Sequence, residues 1–193
     1  MAQDIRIDKR ILKTKSNLKS ALVELLKTHK IEDISIVELT TLANVNRKTF
    51  YLHYNEVSSV FKEIENSTYE KVKNKISTFK INAETVEQFL NELFSIFVND
   101  PYVLNIMRNT PYSKTFTNIL EKALIEEVNR KYELINNTNV STLLQYTIAY
   151  NVFGSVRLFY TWLKNSQNLD LATFCKFLAT LIIKGSKSNF DNV

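Results

Sequence analysis

"IEDISIVELTTLANVNRKTFYLHY", residues 31–54, holds two short helices and the sharp turn between them. Ser35 is followed three residues later by Glu38, the pattern of a capping box, so the spacing predicts a helix over 36–43. Leu39, Leu42 and Ala43 face inward from it. Asn44 stands where the chain must reverse, and asparagine accepts the left-handed conformation more readily than other non-glycine residues. Val45 plugs the turn. Asn46 caps a further helix over 47–53, from which Phe50 points back toward Val45 and Leu39 while Arg47, Lys48, Thr49 and Tyr51 stay outside.

Upstream, Ile11, Leu18, Leu22, Leu25 and Leu26 recur at helical spacing, so residues 9–28 form an amphipathic helix with the lysines of "KRILKTKSNLK" mostly on its outer side. Three helices, the last two short and tightly joined, make a helix-turn-helix. Downstream, Val60, Phe61, Ile64, Val72 and Ile76 share one face of a long helix over 56–79. "AETVEQFLNELFSIFV" (83–98) is another amphipathic helix, and Asp100 caps a short one that opens at Pro101. Thr110 and Pro111 introduce a helix over about 112–134. "NNTNVS" is a loop; after it come an apolar helix at 140–164 and a last one at 170–184 that ends at Gly185. The expected fold is all-α with about nine helices. Its expected domains are a helix-turn-helix head over 1–55 and a helical body over 56–193, with 56–79 as the linking helix.

Composition narrows the chemistry. Two glycines and two prolines in 193 residues are too few for a protein of many strands. A single cysteine, Cys175, excludes an internal disulfide and a Cys-rich zinc site, and fits a reducing, cytoplasmic setting. The first twenty residues carry charges too often for a signal peptide. "LLQYTIAYNVFGSVRLFYTWL" (143–163) is long enough to span a bilayer, yet Gln145, Asn151 and Arg157 interrupt it, and a buried or dimer-facing helix fits better. The two isolated glycines allow no glycine-rich phosphate loop and no dinucleotide fingerprint. His29 and His53 stand apart from any cluster with ligand spacing, so neither a metal nor a cofactor is expected. With no nucleophile, base or cofactor motif, an enzyme is not expected; an all-helical enzyme on a hydrophobic substrate has only a possible pocket in its favour.

Charge points elsewhere. The net charge is +5, and residues 1–62 hold 11 Lys/Arg against 7 Asp/Glu, whereas the remainder holds 14 against 13. A basic head on a near-neutral body suits a polyanion; a well-solvated surface is the plainer alternative. Residues 46–53 combine an apolar back with a cationic front, which is what a helix needs to enter a major groove ~12 Å wide. Arg47 can reach guanine with two hydrogen bonds, Lys48 and Thr49 can reach base edges or phosphates, and the Tyr51 hydroxyl can donate to a phosphate. Ser35 and the first amides of its helix offer a further phosphate site. Tyr51 and His53 are alternatively packing residues.

These residues carry a resemblance. "DKRILKTKSNLKSALVELL" followed by "IEDISIVELTTLANVNRKTFYLHY" is similar to the DNA-binding domain of TetR/AcrR-family transcriptional regulators over roughly residues 8–64. "GSVRLFYTWLKN" resembles the C-terminal region of members related to the dihydroxyacetone-kinase regulators. The resemblance implies contacts to double-stranded DNA from Ser35, Ile36, Asn46, Arg47, Lys48, Thr49, Tyr51 and His53. It also implies a homodimer through residues 140–184, with Leu143, Phe153, Phe159, Trp162, Phe174 and Leu181, or a subset, in a four-helix bundle. A small-molecule effector would bind among the helices of 83–160, with Phe94, Met107, Tyr146, Tyr150 and Arg157 as pocket candidates; plain core is the alternative for the aromatics. The implied function is a ligand-responsive regulator, most often a repressor. One position departs from the family: where a lysine usually opens the fourth helix, this chain has Val57, preceded by Glu56. The basic residues Arg6, Lys9, Arg10, Lys13 and Lys15 can offset that loss, and a coactivator of the same fold that no longer binds DNA is the alternative.

Overall fold

Several helix starts are set by side chains that bond to their own backbone. Ser35 and Glu38 form the reciprocal capping box, Asn46 accepts from the Lys48 amide, and Asp100 accepts from the amides of Tyr102 and Val103 ahead of Pro101. Each such cap is worth ~0.5–2 kcal/mol. The computed structural model describes the backbone of residues 2–79, 84–136, 141–165 and 169–190, and their side chains except those of 2–8, 131–136 and 186–190. Among the described residues the fold is all-α and without strands. Its nine helices are α1 (Ala2–Leu25), α2 (Ile36–Leu42), α3 (Arg47–Tyr51), α4 (Val57–Thr78), α5 (Val86–Val98), α6 (Pro101–Asn109), α7 (Ser113–Asn136), α8 (Thr142–Asn165) and α9 (Leu171–Phe190). A 3-10 turn, Ile31–Asp33, precedes α2.

The chain forms two compact units. One comprises Met1–Ser67 and Asp100–Ser113, and the other Thr68–Asn99 and Lys114–Val193. In the first, α1 packs on α2 and on α6, and α2 packs on α3. Leu18, Leu22, Leu26, Leu39, Phe50, Val60 and Ile106 are fully buried there. Burying one such side chain contributes ~1.5–3 kcal/mol. The Tyr102 hydroxyl hydrogen-bonds with Ser16 Oγ at 2.8 Å, which ties α6 to α1, and the Ile31 amide donates to the Tyr112 hydroxyl at 2.8 Å, which ties the residues after α6 to the 3-10 turn.

In the second unit α5 lies against α9, and α8 packs on α9. Phe94 stacks on Phe159 at 4.0 Å between ring centres, Phe159 continues to Trp162, and Trp162 to Phe174. The Trp162 ring N–H donates to the Leu169 carbonyl. Phe159 and Phe174 are therefore spent on the interior of their own unit, which removes them from the expected dimer seam, whereas Leu143, Phe153 and Leu181 are exposed. Burial pushes the Cys175 thiol up to about 12, with the Glu87 charge adding to it, so the thiol stays protonated and inert.

Other expectations shift for local reasons. Leu42 is exposed, because α2 ends there and the inward face is already filled by Leu39 and Ala43. α3 stops at Tyr51, leaving His53 in the bend that follows. Gly185 does not end the last helix: its φ is not positive, and α9 runs on to Phe190. The expected starts at residues 83 and 140, most of the "NNTNVS" loop and the Arg6 side chain lie outside the described residues. Among the described residues, no helix is long and apolar enough to cross a membrane.

Candidate nucleic-acid interface

The turn between α2 and α3 fixes the pose of α3. Asn44 has φ 51°, the one positive φ at a non-glycine residue among the described residues. The Ala43 and Asn44 amides donate to the Leu39 and Thr41 carbonyls, and the left-handed residue then lets the Val45 amide turn back to the Thr40 carbonyl, which closes the end of α2. Asn17 of α1 donates its side-chain amide to the Ala43 carbonyl at 3.3 Å, tying the turn to the rest of the unit. Phe50 then inserts its ring as a fully buried wedge, packed against the rings of Tyr51 and Tyr54. An α3 of only five residues is too short to be stable alone, so these contacts hold it.

With Phe50 inward, Arg47, Lys48 and Tyr51 are exposed and Thr49 is half-exposed. Asn46 is occupied as the cap, its Oδ1 accepting from the Lys48 amide at 2.8 Å. Arg47 lies back along the helix: its Nη2 donates to the Tyr51 hydroxyl at 3.1 Å, and its guanidinium carbon is 5.6 Å from the ring centre. His53 is half-buried, its ring edge-on to Tyr54. Arg47, Lys48, Thr49 and Tyr51 thus share one short outward face, and His53 stands behind it.

A polar clamp that the sequence did not announce secures this face. Glu63, on α4, accepts from Lys15 Nζ and from the Tyr54 hydroxyl at 2.9 Å each, and pairs with Lys19 Nζ at 2.9 Å. Lys15 also sits 5.5 Å from the Tyr54 ring centre. Partial burial alone would push the Glu63 carboxyl up, but the bonds from Lys15, Lys19 and Tyr54 win and hold it down at about 2. Burial and the bond to Glu63 push the Tyr54 phenol up. One carboxylate therefore joins α1, the end of the α3 segment and α4. The available signal was an acidic residue on the α4 face that carries Val60, Phe61 and Ile64, set against two lysines at helical spacing on α1.

Two expected phosphate positions look different in the structure. The Ser35 hydroxyl accepts from the Glu38 amide and donates to the Glu38 carboxylate, which itself accepts from the Ser35 amide at 3.0 Å. Those backbone and side-chain bonds hold the Glu38 carboxyl below the usual range. A phosphate at the start of α2 would have to displace a carboxylate, which disfavours Ser35 and half-buried Ile36 as anchors. At the start of α4, Val57 is buried, and exposed Glu56 accepts from the Ser58 hydroxyl and lies 3.8 Å from Lys62. No cation occupies position 57.

The five pocket candidates differ in their surroundings. Phe94 is buried in the aromatic stack of the second unit, and Met107 is buried in the first. Tyr146 and Tyr150, 68% and 78% exposed, point to solvent from α8. Arg157 is exposed as well, with its guanidinium 5.8 Å from the Tyr160 ring. α8 is apolar on two sides, and its second side is the outer one. Among the described residues there is no group of three His, Cys, Asp or Glu side chains that could hold a metal ion.

No protein-family model and no curated protein matches the chain. Solved structures do. A TetR transcriptional regulator from Streptococcus agalactiae superposes with a TM-score of 0.60 at 20% identity, covering 93% of this chain and 98% of that one. The fatty acid regulator FadR from Bacillus subtilis, solved with stearoyl-CoA, gives 0.58 at 18% identity over 88% and 98%. The dihydroxyacetone kinase operon activator DhaS gives 0.58 at 14% identity over 90% and 96%. The chain has the fold of the TetR-family regulators over nearly its whole length.

Proposed function

We propose that the protein is a homodimeric, ligand-responsive transcriptional regulator, acting as a repressor, that reads a near-palindromic operator in double-stranded DNA through α3. The observation that carries this reading is the outward face of Arg47, Lys48, Thr49 and Tyr51, held rigid from behind by Phe50 and the Asn44 turn. Residues 1–55 act as the DNA-binding domain and 56–193 as the ligand-binding and dimerisation domain. Pairing through residues 140–184 is supported by an outer stripe on α8, Leu143, Tyr146, Tyr150 and Phe153 at spacings of three and four, and by exposed Phe177 and Leu181 on α9. Two-fold pairing would present two copies of α3 to major grooves ~34–36 Å apart. The stearoyl-CoA bound by FadR supports a small-molecule effector here, without specifying which. Such an effector switches the protein only by its differential affinity for two states.

A second reading, a coactivator that no longer binds DNA, is favoured by one feature: Val57 is buried and Glu56 exposed where the family carries a phosphate-binding lysine. Titration of labelled random duplex DNA across a range of salt separates the two. The regulator binds at low salt and weakens steeply as salt rises; the coactivator does not bind even at low salt.

A further inference from the structure

Resting on the DNA-binding reading above, we infer that Tyr51 positions Arg47, so that the tyrosine determines base preference through the arginine in addition to holding the backbone. The Arg47 Nη2 donates to the Tyr51 hydroxyl across one helical turn, with the guanidinium carbon 5.6 Å from the ring centre. The Tyr51 ring is set in turn by the buried Phe50, whose ring meets it edge-on at 5.6 Å. Among the described residues, Arg47 meets no carboxylate and the Tyr51 hydroxyl has no other partner.

The donor count permits both tasks at once. A guanidinium has five N–H groups, and one bond to Tyr51 leaves enough on the free edge for a two-point contact to a guanine. A phenol accepts and donates simultaneously, so while its oxygen takes the Arg47 N–H its own proton can go to a phosphate. The backbone contact and the base contact then share one atom, the Tyr51 oxygen. A solvent-exposed arginine loses much rotamer freedom on binding, and a pre-set guanidinium loses less.

The test takes the operator recovered by the intact protein from a random duplex pool and measures relative affinity for every single-base variant of it. Four proteins are compared: wild type, Arg47→Ala, Tyr51→Phe and the double variant. Arg47→Ala removes the preference at one base pair of each half-site, roughly five- to hundredfold. Tyr51→Phe lowers the preference at that same base pair by about fivefold, and adding it to Arg47→Ala changes that preference no further. An even loss on all sequences for Tyr51→Phe, with the preference profile intact, would make Tyr51 a plain phosphate contact and overturn the inference while leaving the regulator reading standing. Wild-type protein that selects no sequence and binds no duplex at low salt would overturn both. Tyr51 is exposed and Tyr51→Phe keeps the ring, so helicity by circular dichroism is expected to match wild type.

Discussion

Replacing Glu63 by glutamine keeps the shape of the clamp and removes its charge, leaving Lys15 and Lys19 without their common counter-ion. The carboxyl titrates at about 2 in the folded protein against an ordinary 4.5. Taken at full strength that difference is roughly 3 kcal/mol of stability at neutral pH. Glu63 is 32% exposed, so solvent screening reduces the expected loss to about 1–2 kcal/mol. A depressed carboxyl stabilises the fold above its unfolded pKa and ceases to as pH falls through the folded value. The difference between wild type and Glu63→Gln should therefore be complete above about pH 5 and shrink steadily toward pH 2. Urea unfolding followed by circular dichroism, repeated from neutral pH down to about pH 3, measures it; near neutral pH the same loss lowers Tm by ~2–8 °C. A deficit that stays constant over that pH range would refute the charge-clamp reasoning and make Glu63 a packing residue.

Three further outcomes follow from the same geometry. Asn44→Val places a β-branched side chain at φ 51° and should cost ~1–3 kcal/mol by thermal unfolding, while Asn44→Gly stays within ~0.5 kcal/mol of wild type. Phe153→Glu, on the outer stripe of α8, should raise the dimer dissociation constant about thirtyfold or more in sedimentation equilibrium, with helicity unchanged. Lys9, Arg10 and Lys13 are exposed without a carboxylate partner among the described residues, unlike Lys15 and Lys19. Changing all three to alanine should flatten the salt dependence of DNA binding by up to ~2.7 per protomer in log–log slope if each meets a phosphate.

The features legible in the sequence were those written in a window of a few residues. The Ser35–Glu38 box, the Asn46 and Asp100 caps and the left-handed Asn44 all depend on a side chain and the backbone beside it. The front and back of α3 were legible for the same reason, since Phe50 and its neighbours alternate within one turn. What escaped was tertiary. Lys15 and Glu63 lie 48 positions apart, and nothing local says that they meet. Helical spacing marked Phe159 and Phe174 as apolar without saying whether a neighbouring helix or a second copy would cover them. α8 is apolar on more than one face, and only the packing of α5 and α9 decides which face is inside and leaves Arg157 on the outer one. Ser35 looked free for a phosphate because one residue can serve as cap or as anchor, and Glu38 already fills the place.

The central claim, that the outward face of α3 binds DNA, is tested most directly by fluorescence anisotropy of labelled random duplex DNA titrated with wild-type protein and with Arg47→Ala over a range of salt. Wild-type protein should bind at low salt with an affinity that falls linearly on a log–log plot as salt rises, and Arg47→Ala should bind more weakly. No wild-type binding at the lowest salt, or binding that Arg47→Ala leaves unchanged at every salt, would contradict it.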